Sequence, residues 1–91
     1  MKRVLIKVIG EVQGVGFRRY AQLKAQALGL TGYVTNQDDL SVLILAQGAY
    51  PAVDQLIAWC EHGSPMASVS SVLVEEDDAD EIYLDFSVIQ S

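Results

Sequence analysis

The sequence predicts an α+β sandwich in which two helices cover one face of an antiparallel sheet. Three observations carry that expectation. Apolar residues alternate with a period of two in several short segments and fall on one helical face in two longer ones. The segments run strand, helix, strand, strand, helix, strand, with a short strand after them. The chain has 91 residues, so residues 1–91 are expected to form one domain, a second core needing more chain than remains.

Each element has its own signal. In residues 4–8, Val4, Ile6 and Val8 alternate with Leu5 and Lys7, and their β-branching favours a strand. Gly10, Gly14 and Gly16 break that strand into a loop. In residues 17–28, Phe17, Ala21, Ala25 and Leu28 share one face of a helix that Gly29 closes. Tyr33 and Val34 begin a second strand. Gln37, Asp38 and Asp39 have turn composition, and residues 40–46 predict a third, strongly apolar strand. Pro51 suits the first turn of a second helix, Val53, Leu56, Ile57 and Cys60 make its apolar stripe, and Gly63 stops it. Residues 69–74 predict a fourth strand. Glu75 to Glu81 read as a solvated acidic loop, and Leu84, Phe86 and Val88 alternate in a last short strand at the sheet edge. Two helices cover only one face of such a sheet. The result is the ferredoxin-like sandwich, split βαβ, with the order β-α-β-β-α-β. This architecture hosts enzymes, RNA binders and regulatory modules alike, so function has to come from a site.

Composition narrows the function classes. A hydrophobic fraction of 51% supports a packed core. No stretch approaches the ~20 apolar residues of a membrane span, so no membrane association is expected. The opening apolar run is short and interrupted by Lys7, so Met1 is expected to be the start of a soluble, cytoplasmic protein rather than of a signal peptide. Cys60 is the only cysteine, which excludes an internal disulfide and a cysteine-based zinc site. The late acids have neither a histidine partner nor ligand spacing, so no metal and no cofactor are expected. The net charge of -6 argues against nucleic acid as a partner. The charge is unevenly placed. All six cations lie at or before Lys24, and of the twelve acids only Glu11 lies in that region. Solvated surface charge accounts for this, and so does a local positive site for a small anion.

The segment 10–19, GEVQGVGFRR, follows a strand and opens a helix. That position aims free backbone N–H groups at whatever lies over the helix N-terminus. Gly14 and Gly16 permit positive φ and close approach, and successive N–H groups in such a loop form an anion-binding nest. Arg18 and Arg19 stand in the first turn, at the positive end of the helix dipole, where a cation costs about 0.3–1 kcal/mol. A bound anion reverses that sign, and guanidinium suits bidentate phosphate contact. Two solvent-facing arginines would be the plainer explanation. Neither the dinucleotide fingerprint nor a Walker loop is present.

Gly10-Glu11-Val12-Gln13-Gly14-Val15-Gly16-Phe17-Arg18 resembles the first signature of the acylphosphatase family at every constrained position. Gly32-Tyr33-Val34-Thr35-Asn36 resembles its second signature, with Val42 and Gly48 at the downstream spacing. Gly63-Ser64-Pro65-Met66-Ala67-Ser68-Val69 is similar to the family's stretch between helix two and strand four. Thr35 stands where the family usually carries a Lys or Arg. Leu40 stands where a turn glycine is usual, so the hairpin after Asn36 is expected to take a different turn type.

The resemblance implies a metal-free hydrolase of acyl phosphates with Arg18 and Asn36 as catalytic residues. A loop of Gln13, Gly14, Val15, Gly16, Phe17 and Arg18 would hold the phosphoryl group by its backbone N–H groups. Arg18 would grip the phosphoryl oxygens and Asn36 would orient the attacking water, while Arg19 would point away and matter less. The implied partner is a small-molecule acyl phosphate, and a monomer is expected. Two readings without catalysis remain open on this fold. An RNA recognition module would display aromatics on strands one and three, which instead carry Val, Leu and Ile. A phosphate- or small-anion-binding domain would keep the loop without turnover.

Overall fold

The computed structural model describes residues 1–90. Strand β1 (Lys2–Glu11) is followed by helix α1 (Phe17–Ala27) and strands β2 (Thr31–Asn36) and β3 (Val42–Gly48). Helix α2 (Tyr50–Cys60) and strands β4 (Ser68–Glu76) and β5 (Phe86–Ile89) complete the order. The sheet order is β4-β1-β3-β2-β5. Both helices pack on one face, where Val4, Ile6, Val8, Val34 and Ile44 meet Phe17, Ala21, Val53 and Leu56 in one buried cluster. Burying a residue such as Phe17 contributes about 1.5–3 kcal/mol, so the helical stripes, more than propensity, hold the helices down.

The strands are longer than their hydrophobic pattern. β1 runs beyond residues 4–8 at both ends because it is paired on both sides, from Lys2 with Gly48 on β3 to Glu11 with Ser68 on β4. Backbone ladders carry those ends, and ladders leave no trace in hydropathy. β3, with its uncharged residues, lies between β1 and β2 rather than at an edge, which shields it from pairing with another chain.

Three expectations change. The sheet is antiparallel from β4 through β1 and β3 to β2, but β5 pairs parallel with β2, so the five-stranded sheet is mixed. The reason is topological: β4 and β5 lie at opposite edges, and residues 77–85 must cross the sheet before β5 can start. The second expectation, a solvated acidic loop, holds for exposure, since Glu75, Glu76, Asp78, Asp80 and Glu81 are exposed, and changes in its bounds and contacts. Glu75 and Glu76 belong to β4, and Asp77 and Glu81 bind Arg3. The Arg3 Nε donates to Asp77 Oδ2 at 2.6 Å, its Nη1 donates to the Glu81 carbonyl, and its guanidinium lies 5.5 Å from the Tyr83 ring centroid. Arg3 alternates with Val4 and so faces away from the helices, yet it is only 9% exposed because this strap covers it. The hydrogen bond to Asp77 raises the Arg3 pKa further. The third change concerns Leu84, which is 92% exposed and precedes β5; Phe86 is the strand's buried anchor.

Candidate active site

Residues 12–16 leave β1 and enter α1 through two left-handed glycines, Gly14 at φ 74° and Gly16 at φ 76°. Gly16 is the N-cap and supplies no side chain to cap the helix, and the first turn holds no acid. Among the described residues, the backbone N–H groups of Gly14, Val15, Gly16, Phe17, Arg18 and Arg19 donate no hydrogen bond. Six consecutive donors are thus left for an outside acceptor, at the end of the helix where the dipole favours an anion. The loop is fixed from behind. The Ser64 hydroxyl, 2% exposed, donates to the Val15 carbonyl at 2.9 Å, and Phe17 is buried 5.2 Å from the Trp59 ring.

The loop forms one wall of a cleft of about 340 Å³ that Arg18, Asn36, Gln22, Val88 and Gln90 also line. Asn36 is the last residue of β2 and, two residues from buried Val34, faces the α1 side of the sheet. Its Oδ1 is buried with no hydrogen-bond partner among the described residues, an arrangement that costs about 1–3 kcal/mol and calls for a ligand. Arg18 donates from Nη1 to the Ile89 carbonyl at 3.2 Å, so the guanidinium stands between the loop and β5.

The charge pattern resolves with the ion pairs. Lys2 pairs with Asp54 at 3.3 Å, Arg3 with Asp77 at 2.6 Å and Lys7 with Asp39 at 2.7 Å. Among the described residues, Arg18, Arg19 and Lys24, all on α1, have no carboxylate partner. Among the described residues no side-chain carboxylate lines the cleft. Among the described residues no group of three or more His, Cys, Asp or Glu is placed to hold a metal ion. Among the described residues no helix is long and apolar enough to cross a membrane.

A sequence model of the acylphosphatase family matches residues 4–88. The chain belongs to the acylphosphatase family. It is 66% identical over 91 residues to an acylphosphatase of Shewanella amazonensis, covering 100% of both chains. It is 59% identical to one of Shewanella oneidensis, over 99% of this chain and 100% of the other. Its fold matches the crystal structure of acylphosphatase from Bacillus subtilis with a TM-score of 0.93 at 38% identity, over 98% of this chain and 99% of that one.

Within this acylphosphatase-family site, the signature residues divide by what they touch. Gly14, Gly16, Arg18 and Asn36 come together at the cleft. Val15 and Gln13 are in the loop but serve it differently. The Gln13 Nε2 donates to the carbonyls of Gln37 and Ser41 at 2.9 Å each, which fastens the loop to the hairpin after Asn36. Arg19 lines the cleft as well, rather than pointing away, with its Nη1 donating to Gln22 Oε1 at 2.8 Å. Sequence reasoning missed the side-chain role of Gln13 and that of Ser64. Both residues stand inside motifs, but their partners lie at sequence separations of 24 to 49 residues.

In the hairpin after Asn36, Leu40 adopts a left-handed backbone at φ 73°, the region that ordinarily favours glycine. Leu40 N–H donates to the Gln37 carbonyl at 3.1 Å and Gln37 N–H to the Ser41 carbonyl at 2.9 Å. This is the three-residue loop in which a β-turn is followed by one left-handed residue, ordinarily glycine. A side chain in that region costs about 1–2 kcal/mol.

Proposed function

We propose that this chain hydrolyses the carboxyl-phosphate anhydride of acyl phosphates, with the 13–18 loop as phosphate cradle and Arg18 and Asn36 as catalytic residues. The observation that carries this assignment is the meeting, in one cleft, of Gly14, Gly16, Phe17, Arg18 and Arg19, whose N–H groups donate no hydrogen bond among the described residues, with the Arg18 guanidinium and the Asn36 Oδ1 that has no partner there. The N–H groups of Gly14 to Arg19 receive the phosphoryl oxygens. Arg18 exchanges the neutral Ile89 carbonyl for a phosphoryl oxygen, a stronger, charge-assisted bond. Asn36 Oδ1 accepts a hydrogen bond from the attacking water. The water oxygen bonds to phosphorus, the bond from phosphorus to the acyl oxygen breaks, and its electron pair leaves on the carboxylate. The water's protons remain with the phosphate. Such a transfer needs positioning and charge stabilisation more than a strong base, which an amide is not.

The whole of residues 1–91 serves as one domain, acts without a metal ion and works as a monomer in the cytoplasm. Its net charge of -6 disfavours nucleic acid as a partner. Hydrolysis of benzoyl phosphate in excess chelator, beside Arg18→Ala and Asn36→Ala, tests the assignment. Removing one preorganised donor costs roughly 10²–10³ in rate, and an arginine on a transferring phosphoryl group is worth roughly 10³–10⁵. Both variants should stay folded and lose turnover on that scale. Near-normal turnover in either would remove that residue from the mechanism, and loss of wild-type activity in chelator would overturn metal independence.

A further inference from the structure

We propose that Asp39 is a positioning residue for the site: braced by Lys7, its carboxylate takes the place of the turn glycine and so fixes Asn36. The inference rests on the reading of Asn36 above. Leu40 is 68% exposed, so burial does nothing to hold its backbone at φ 73°. The restraint comes from its neighbours. Asp39 Oδ1 accepts from the Ser41 N–H at 3.1 Å and from the Ser41 hydroxyl, which also lies 3.0 Å from Gln37 Oε1. Asp39 Oδ2 meets Lys7 Nζ at 2.7 Å. Lys7 belongs to β1, opposite Leu43 of β3, so a strand outside the hairpin anchors the turn. Ser41 is 3% exposed, which keeps its own geometry fixed.

Asn36 is the residue immediately before this turn and pairs with Val42 immediately after it. A relaxed Leu40 would therefore change how Asn36 meets Val42 and turn the amide within the cleft. The phosphate cradle touches this hairpin through the Gln13 bonds to Gln37 and Ser41, but two further supports lie away from it, the Ser64 bond to Val15 and the burial of Phe17. Loss of Asp39 should accordingly reach kcat, through the oriented water, before it reaches phosphoryl binding.

The test is a cycle of Asp39→Ala, Leu40→Gly and the double variant, read by benzoyl phosphate kinetics and by the NMR signals of the Asn36 side-chain amide. Asp39→Ala should lower kcat by roughly ten- to a hundredfold, the scale of a small misplacement, with KM changed by less than about twofold. The Asn36 amide signals should shift with it. Leu40→Gly alone should leave kcat within about twofold, and the double variant should recover most of the lost kcat and return the Asn36 signals, since glycine needs no brace. An unchanged kcat in Asp39→Ala, or a double variant as slow as Asp39→Ala, would overturn the proposal. If Asp39→Ala fails to fold, Asp39→Asn, which keeps the acceptor for Ser41 and loses the ion pair, enters the same cycle with the same criteria. Normal turnover in Asn36→Ala would instead defeat the reading of Asn36, while its amide signals would still report whether Asp39 places it.

Discussion

Asn36 and Arg18 each break a local rule, and the breach is what makes them visible. An amide oxygen is buried without a partner among the described residues, and a cation stands at the positive end of a helix. One of these was legible in the sequence: the arginine's position follows from the start of the helix. The unpartnered oxygen was not, because burial of a single atom depends on what surrounds β2. Cys60 breaks no rule. It is fully buried, and burial together with nearby Glu61 pushes its thiol up to about 12. The folded state thus holds this proton more tightly than the unfolded chain, whose thiol titrates near 9.0. Its contribution to stability is present below that value and is lost as the pH rises towards about 12. A thiol reagent at pH 8 should therefore modify Cys60 in the folded protein orders of magnitude more slowly than in denaturant. Equal rates would contradict the buried placement.

At the scale of elements, the glycine loop and the hairpin after Asn36 were read with unequal success. The loop's signal is local: two glycines, a strand before and a helix after. The hairpin's turn is set by contacts the sequence does not display, above all Lys7 with Asp39. That pair has a pH signature. The hydrogen bond from Lys7, then those from Ser41, hold the Asp39 carboxyl well below its ordinary range. A depressed acid stabilises the fold at pH values above its unfolded pKa, here 3.8, and the benefit is lost as the pH falls below that range. The difference in unfolding midpoint between the wild type and Asp39→Asn should be constant from pH 7 to about 5 and shrink on further acidification. It should also shrink with added salt, because the pair is exposed. A difference that grew in acid would show that the carboxylate is not held ionised.

At the scale of the molecule, the strap of residues 77–85 joins two distant edges of the sheet and delivers β5 to the cleft. Arg3 holds the strap, and β5 in turn supplies Val88 to the cleft and the Ile89 carbonyl to Arg18, with Gln90 just beyond the strand also lining the cleft. Replacing Arg3 with Met should cost roughly 1.5–3 kcal/mol, the range for hydrogen bonds to a charged group. The loss should be uneven. Amide exchange in β5 should accelerate before that in β1 and β3, since β5 is short, is paired on one side and depends on the strap. Uniform acceleration would mean that Arg3 serves overall stability only.

By itself the sequence determined the order of elements, the face each helix buries, the glycine loop and the two family signatures. All of these are written in spacings of a few residues, where periodicity and backbone freedom act directly. Only the tertiary structure decided that β5 runs parallel to β2, that Arg3 gathers part of the acidic segment, that Gln13 and Ser64 secure the loop, and that Leu40 adopts a left-handed backbone. The physical reason is common to the four. Each depends on a partner far along the chain, and the free energy that selects it exists only once the sheet has brought the two together.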